Sequence, residues 1–252
     1  MISCEIKPKL PRWKTLLRRK QRVIAVFSYR FDAHLVPDLL ANIDPFVDGW
    51  VAFDDRASTG VFSSEVGRRR CLLEAARQAG ADWILAVDPD ERFETAVAAE
   101  MSDLTRKKGR IAWGFNFREL YAPLSYRVDG IWGTKIRHCL FRAFDPAERT
   151  DTGLHDLWYP KNAGFRELQS GLNLYHLKMI DPARRSARRD LYSFLDPDSR
   201  DQAIGYDYLA DETGVQLEPI PADRPYHPPH IDDGGLWMFD LSDKAGAEGQ
   251  QG

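Results

Sequence analysis

Long apolar runs are missing from this 252-residue chain. None approaches the roughly 20 residues that a bilayer-spanning helix needs. Cysteine is scarce. Cys4, Cys71 and Cys139 are far apart and odd in number, which excludes a disulfide framework and a paired-thiolate zinc motif and points to a reducing compartment. Charge of one sign is also lacking. A net charge of −3 gives no overall field to attract nucleic acid, so none is expected as a partner. The stretch Met1 to Arg22 is basic but lacks the apolar segment of a secretory signal. Its Lys14-Thr15-Leu16-Leu17-Arg18-Arg19-Lys20 run could touch anionic lipid, although a solvated lead-in is the plainer reading. The expected location is cytoplasmic, with at most weak peripheral contact at the inner membrane face.

What is present is a succession of strands and helices. Arg22 to Tyr29 is a continuous apolar run ending in a polar turn, the pattern of a strand buried on both faces. Ala33 to Asn42 has helical spacing. Gly49 to Phe53 is a second strand, stopped by Asp54-Asp55. Ser64 to Ala79 reads as a helix, with Ser63 or Ser64 as N-cap and Gly80 at its stop. Asp82 to Val87 is a third strand, stopped by Asp88-Pro89-Asp90-Glu91, and Thr95 to Thr105 is helical again. This alternation predicts a parallel α/β sheet, whose ligands gather beyond the carboxyl ends of the strands. Both acidic clusters fall at such ends.

Further along, Arg110 to Tyr121 and Lys135 to Phe144 alternate and are aromatic, like strands of a mixed sheet. Leu172 to Met179 is a short strand candidate, and Pro182 to Leu195 and Ser199 to Ala210 look helical. The expected layout is a basic lead-in (1–21), a catalytic core (22–180), C-terminal helices with a candidate active-site lid (181–241) and a disordered tail (242–252).

Asp88-Pro89-Asp90 places two carboxylates one residue apart at the end of a buried strand, where oxygen ligands suit Mg²⁺ or Mn²⁺. The same pair also reads as a turn whose acids cap backbone N–H groups. Context separates the two. The run from Glu65 to Glu91 has Arg68-Arg69-Arg70 near the start of a helix, a Gly80-Ala81-Asp82-Trp83 strand entry and the Asp88-Pro89-Asp90-Glu91 ending. It resembles the core of family 2-like glycosyltransferases of the GT-A fold, and the resemblance extends over about Val23 to His176. It implies a Rossmann-like, mixed but mainly parallel central sheet flanked by helices, in a single domain with a helical and loop extension at the C-terminus. It also implies transfer of a sugar from a nucleotide-diphosphate sugar to a hydroxyl of a glycan or lipid-linked acceptor, with inversion, in surface glycan or lipopolysaccharide synthesis.

Residue roles follow from that resemblance. Asp90 would bind the metal, and Asp88 would contact it through water or hold the ribose. Asp54 or Asp55 would hold the base or ribose. Ser28, Tyr29 and Arg30 would line the nucleotide pocket, with Arg70, and Arg69 beside it, facing the nucleotide. Cations there oppose the helix dipole, which a nearby anion would relieve. Relatives often carry a His-Glu pair where this chain has His155-Asp156. Asp156 is the first candidate for the base that takes the acceptor proton, with Glu91 and Asp129 as rivals. His176, in Leu172-Asn173-Leu174-Tyr175-His176, matches a late metal-ligating His, although a lone His in an apolar strand also reads as a core residue.

Other features are less specific. Arg184-Arg185 and Arg188-Arg189 recur four residues apart and would either clamp a diphosphate or anionic acceptor or form a solvated helix face. Tyr226 to His230 reads as a loop folding over the site. Trp113, Tyr121, Tyr126 and Trp132 offer rings for stacking on sugars or for the core. The competing classes are a sugar-phosphate nucleotidyltransferase, a non-catalytic nucleotide-binding module and, more distantly, a metal hydrolase. The first usually needs a glycine-rich loop after the first strand, where this chain has Phe27-Ser28-Tyr29-Arg30-Phe31. The hydrolase would want a His-rich two-metal cluster, and none is visible.

Overall fold

The computed structural model describes residues 1–6, 21–57, 65–148, 157–161, 163–199 and 204–229. Strand β2 (Val23–Tyr29) lies inside the sheet, with β3 (Gly49–Asp54) and β4 (Trp83–Ala86) pairing parallel on either side. Its residues divide by parity. Val23, Ala25 and Phe27 pack on one face with Leu39 and Ile43 of α1 (Val36–Ile43) and with Val97 and Met101 of α3 (Val97–Arg106). Ile24 and Val26 pack on the other with Leu72, Leu73 and Ala76 of α2 (Glu65–Gln78). Two covered faces explain why this strand has no polar residue before Ser28.

Beyond β4 the sheet changes character. β8 (Ile136–Arg142) runs antiparallel to β4 and to the 12-residue β6 (Ile111–Ala122). β6 turns back through Pro123-Leu124 into β7 (Ser125–Arg127), which pairs with β10 (Leu217–Pro219). On its other side β6 pairs parallel with β9 (Arg166–His176), and β9 pairs antiparallel with β5 (Glu91–Phe93). At the far edge β1 (Ile2–Ile6) lies antiparallel on β3.

The result is a mixed α/β sheet with flanking helices, and the expectation of a mainly parallel one is corrected. Among the described residues, three of nine strand pairings are parallel. After α3, the links β6–β7 and β7–β8, of two and eight residues, are too short for the long crossovers that parallel neighbours require. A second correction concerns Ser199 to Ala210. Its described part holds only a 3₁₀ turn at Asp207–Leu209, because Gly205 takes a left-handed φ of 69° that a helix does not accommodate. Helix α4 (Pro182–Leu195) spans the expected range, with Asp181 accepting from Ala183 N as N-cap. No helix of the described residues is long and apolar enough to cross a membrane.

Asn42 of α1, nearly buried, bonds the peptide of Phe93 in both directions. Its Oδ1 accepts from Phe93 N at 2.8 Å, and its Nδ2 donates to Phe93 O at 2.9 Å and to His227 O at 2.7 Å.

Candidate functional site

A cleft of about 420 Å³ opens where β2, β3 and β4 end, walled by β6, the start of β8, the end of β9 and α4. A larger cavity of about 820 Å³, with Met101, Lys107 and Arg142 in its lining, lies by the start of β2. Asp48 is the one acid in that lining, so no set of acids converges there.

The acid loop is shaped by backbone economy. Val87 N still donates to Val26 O, as in the sheet, and then Pro89, which has no N–H, interrupts the ladder. Glu91 N closes a turn onto Asp88 O at 3.0 Å. The chain re-enters the sheet as β5, whose register sets Glu91 opposite His176, and Leu177 N donates to Asp90 O at 2.8 Å. Strand pairing therefore brings Asp90 beside His176. Arg92, fully buried, ties the loop from behind, donating to Pro89 O at 2.6 Å, Glu91 O at 2.7 Å and Leu35 O at 3.2 Å.

Two charge networks meet at this loop. Arg137 of β8 reaches Asp88 at 2.9 Å and Glu91 at 3.0 Å, and Glu91 also accepts from Asp88 N at 2.9 Å. Burial pushes the Glu91 carboxyl up to about 8, against the pull of Arg137. In the second network, Asp90 Oδ2 lies 3.4 Å from His176 Nε2, 3.5 Å from Arg184 and 3.4 Å from Arg188. Burial opposes the Asp90 charge, but these cations outweigh it and hold the carboxyl well below its ordinary range. His176 Nδ1 faces Glu119 Oε2 at 2.8 Å, and Glu119 in turn meets Lys135 at 3.3 Å. Burial disfavours the charged imidazole, yet Glu119 and Asp90 raise its proton affinity overall. Asp32, also in the cleft, is pushed up to about 6 by burial and then by the charge of Asp90.

The structure brings Ser28, Tyr29, Arg30, Asp55, Asp88, Asp90 and His176 into one cleft. Asp54 is outside its lining, paired with Arg56 at 2.7 Å. Arg70 is exposed on α2 and also outside, and Arg69 is buried with its guanidinium 5.0 Å from the Trp158 ring. Arg68 takes the place facing the cleft, 3.0 Å from Asp55. Glu91 sits behind the loop, fully buried. Asp129 is turned to Arg127 at 2.7 Å. His155, Asp156 and His230 lie outside the described residues.

Arg184 and Arg185 are buried and Arg188 largely so, which replaces the solvated-face reading of those arginines. Trp113, Tyr126 and Trp132 are buried too, leaving Phe31, Phe117 and Tyr192 as newly recognised rings in the cleft. Sequence reasoning missed Asp32, Glu119, Lys135, Arg137 and Lys178. Glu119 carried a signal, because it shares the alternation of Phe115 and Phe117 and is therefore a charged residue on an inward face.

A divalent ion is tested by the donors present. Among the described residues, no group of three or more His, Cys, Asp or Glu is placed to hold a metal. Asp90 Oδ2 and His176 Nε2 nevertheless converge at 3.4 Å, near the roughly 3 Å that separates two ligands each ~2.1 Å from one ion. The outer nitrogen of His176 is held by a carboxylate, as ligating histidines usually are. Asp90 and His176 are the residues that would hold such an ion.

No family model matches this chain, and no curated protein does. Among solved structures, it aligns with a glycosyltransferase involved in the glycosylation of the major capsid of PBCV-1 at 10% identity and a TM-score of 0.36, over 62% of this chain and 94% of that one. So slight a likeness carries no argument, and the functional reading rests on the cleft.

Proposed function

We propose that the cleft binds a nucleotide-diphosphate sugar and transfers the sugar to an acceptor hydroxyl. One observation carries this reading: paired acids at the end of β4 open onto a cleft lined by seven Lys and Arg side chains against five Asp and Glu. Such a lining suits a ligand with a concentrated negative charge, and its acids offer places for a divalent ion and for ribose hydroxyls.

In this reading Ser28, Tyr29, Arg30 and Asp55 receive the nucleoside, and Asp88, held by Arg137, faces the ribose. Asp90 and His176 would hold Mn²⁺ or Mg²⁺, which when bound neutralises charge on the departing diphosphate. Glu119 keeps Nε2 of His176 directed at the cleft. Asp156 is proposed as the base that accepts the proton of the attacking hydroxyl, giving inversion, with a glycan or lipid-linked acceptor of surface polysaccharide or lipopolysaccharide assembly.

The test is a panel of nucleotide-diphosphate sugars with Mn²⁺, read by thermal shift and by release of nucleoside diphosphate. Stabilisation by one donor, with turnover lost in Asp90→Asn, is the expected result. Release of pyrophosphate from a sugar phosphate and a nucleoside triphosphate would instead show a nucleotidyltransferase and overturn the reading.

A further inference from the structure

We propose that the larger cavity, by the start of β2, seats the headgroup of an anionic phospholipid and so docks that end of the sheet on a membrane surface. The cavity is separate from the cleft. β2 runs between them, and its seven residues span about 20 Å. The inference stands whether or not the cleft transfers a sugar.

The cavity, of about 820 Å³, combines an apolar floor with a basic mouth. Val23, Phe46 and Met101, all buried, form the floor. Four cations join the lining, Arg106, Lys107, Lys108 and Arg142, against the one acid Asp48. Asp48 already accepts from Val23 N at 2.9 Å, and Arg106 pairs with Asp103. The other three cations have no carboxylate partner among the described residues. Arg142 donates to the neutral Gln21 Oε1 and lies 5.5 Å from the centre of the Trp83 ring. Lys107 and Lys108 are exposed, and no described residue bonds or pairs with their side chains.

Cations that follow a helix ordinarily serve its last carbonyls. α3 has other donors for that purpose. Trp113 Nε1 donates to Leu104 O and Trp83 Nε1 to Thr105 O, each at 3.1 Å. Lys107 is already extended, with ψ at 135°, so the chain leaves the helix there. The ligand that completes such a hollow is an anion on an apolar body. A phospholipid meets both needs: its phosphate matches the guanidinium fork of Arg142 and the two lysines, and its glycerol and first acyl carbons suit the floor. The sequence favours a membrane over a free metabolite as the source. Lys20 directly precedes Gln21 of the lining and closes the basic run Lys14 to Lys20. Basic clusters of this kind are drawn to anionic leaflets.

The experiment is flotation of the full chain with vesicles of phosphatidylcholine, alone or mixed with phosphatidylglycerol. The wild type should float with the anionic mixture and not with phosphatidylcholine alone. The double variant K107Q/K108Q should partition roughly 30-fold less, the loss of two lysines at about 1 kcal/mol each. R142Q should partition roughly 10- to 100-fold less, the usual worth of a hydrogen bond to a charged group. R56Q removes one exposed charge beyond the far end of β3 and should partition like wild type. If R142Q fails to fold, as read by circular dichroism, the double lysine variant decides, since both lysines are exposed. A wild type that stays behind when anionic vesicles float would overturn the proposal. So would full partitioning of K107Q/K108Q or of folded R142Q, because another surface would then do the docking. A loss in R56Q as large as in R142Q would show diffuse attraction without a seat. Calorimetric binding of glycerol 3-phosphate by a chain that does not float would give the cavity to a free metabolite and also overturn the docking.

Discussion

Replacing Glu91 by Gln should flatten part of the pH dependence of stability. Glu91 is fully buried behind the acid loop, and burial raises its carboxyl from an ordinary 4.5 to about 8. In the unfolded chain it ionises near its ordinary value. Between those two values the folded state holds one proton more than the unfolded state, so stability falls as pH rises. The slope from this group is about 1.4 kcal/mol per pH unit. Its contribution is fully present below about 4.5 and is lost by about 8, a span of about 4–5 kcal/mol. Gln does not ionise and keeps one acceptor oxygen, enough for Asp88 N or for Arg137. Urea melts of wild type and E91Q from pH 5 to 8.5 would measure the difference. The variants should be close in stability at pH 5, with E91Q pulling ahead as pH rises. Asp32 and His176 titrate in both proteins and largely cancel in the comparison. A difference that is flat with pH, or an E91Q weaker by the ~3–5 kcal/mol that breaking a buried ion pair costs, would refute the argument. It would mean that Glu91 stays ionised against Arg137.

Three further outcomes are expected. Arg92→Met should lower stability by ~3–5 kcal/mol, because three buried carbonyls lose their donor, and hydrogen exchange over 88–94 should rise; an unchanged denaturation midpoint would contradict this. Glu119→Gln should weaken Mn²⁺ binding roughly 10- to 100-fold through the loss of the carboxylate on His176 Nδ1, measured by electron paramagnetic resonance of free Mn²⁺; equal affinity would show that His176 needs no such anchor. Gly133→Ala should destabilise by about 1–3 kcal/mol, since its Cβ would meet Val128 O at 2.5 Å, a backbone atom that cannot swing away; thermal melting within a degree of wild type would count against the packing described.

The first half of the sheet was legible because it obeys a simple rule. Strands covered on both faces must be apolar throughout, and Val23 to Phe27 and Trp83 to Val87 are. Their polar stops, Ser28 and Asp88, then mark the cleft. The short strands β5, β7 and β10 were not legible. Glu91-Arg92-Phe93 carries two charges in three residues, and only the partners of those charges, Arg137 and three backbone carbonyls, make it a buried strand. The arginines of α4 misled for a related reason. A helix with four arginines in six residues looks solvated until the carboxylate that draws two of them inward is in view. Spacing on one element cannot show which charge waits on another.

The side chain of Asn42 does for β5 what a neighbouring strand would do. It offers a donor and an acceptor to the Phe93 peptide on the side away from β9. Without it the N–H and C=O of Phe93, buried against α1, would have no strand to pair with on that side. A helix residue that imitates a strand satisfies that buried edge without lengthening the sheet, so the acid loop can be followed at once by a strand of three residues. Exchange of this amide for an apolar side chain would therefore be felt as lost stability, about 1–3 kcal/mol for each buried polar group left unpaired.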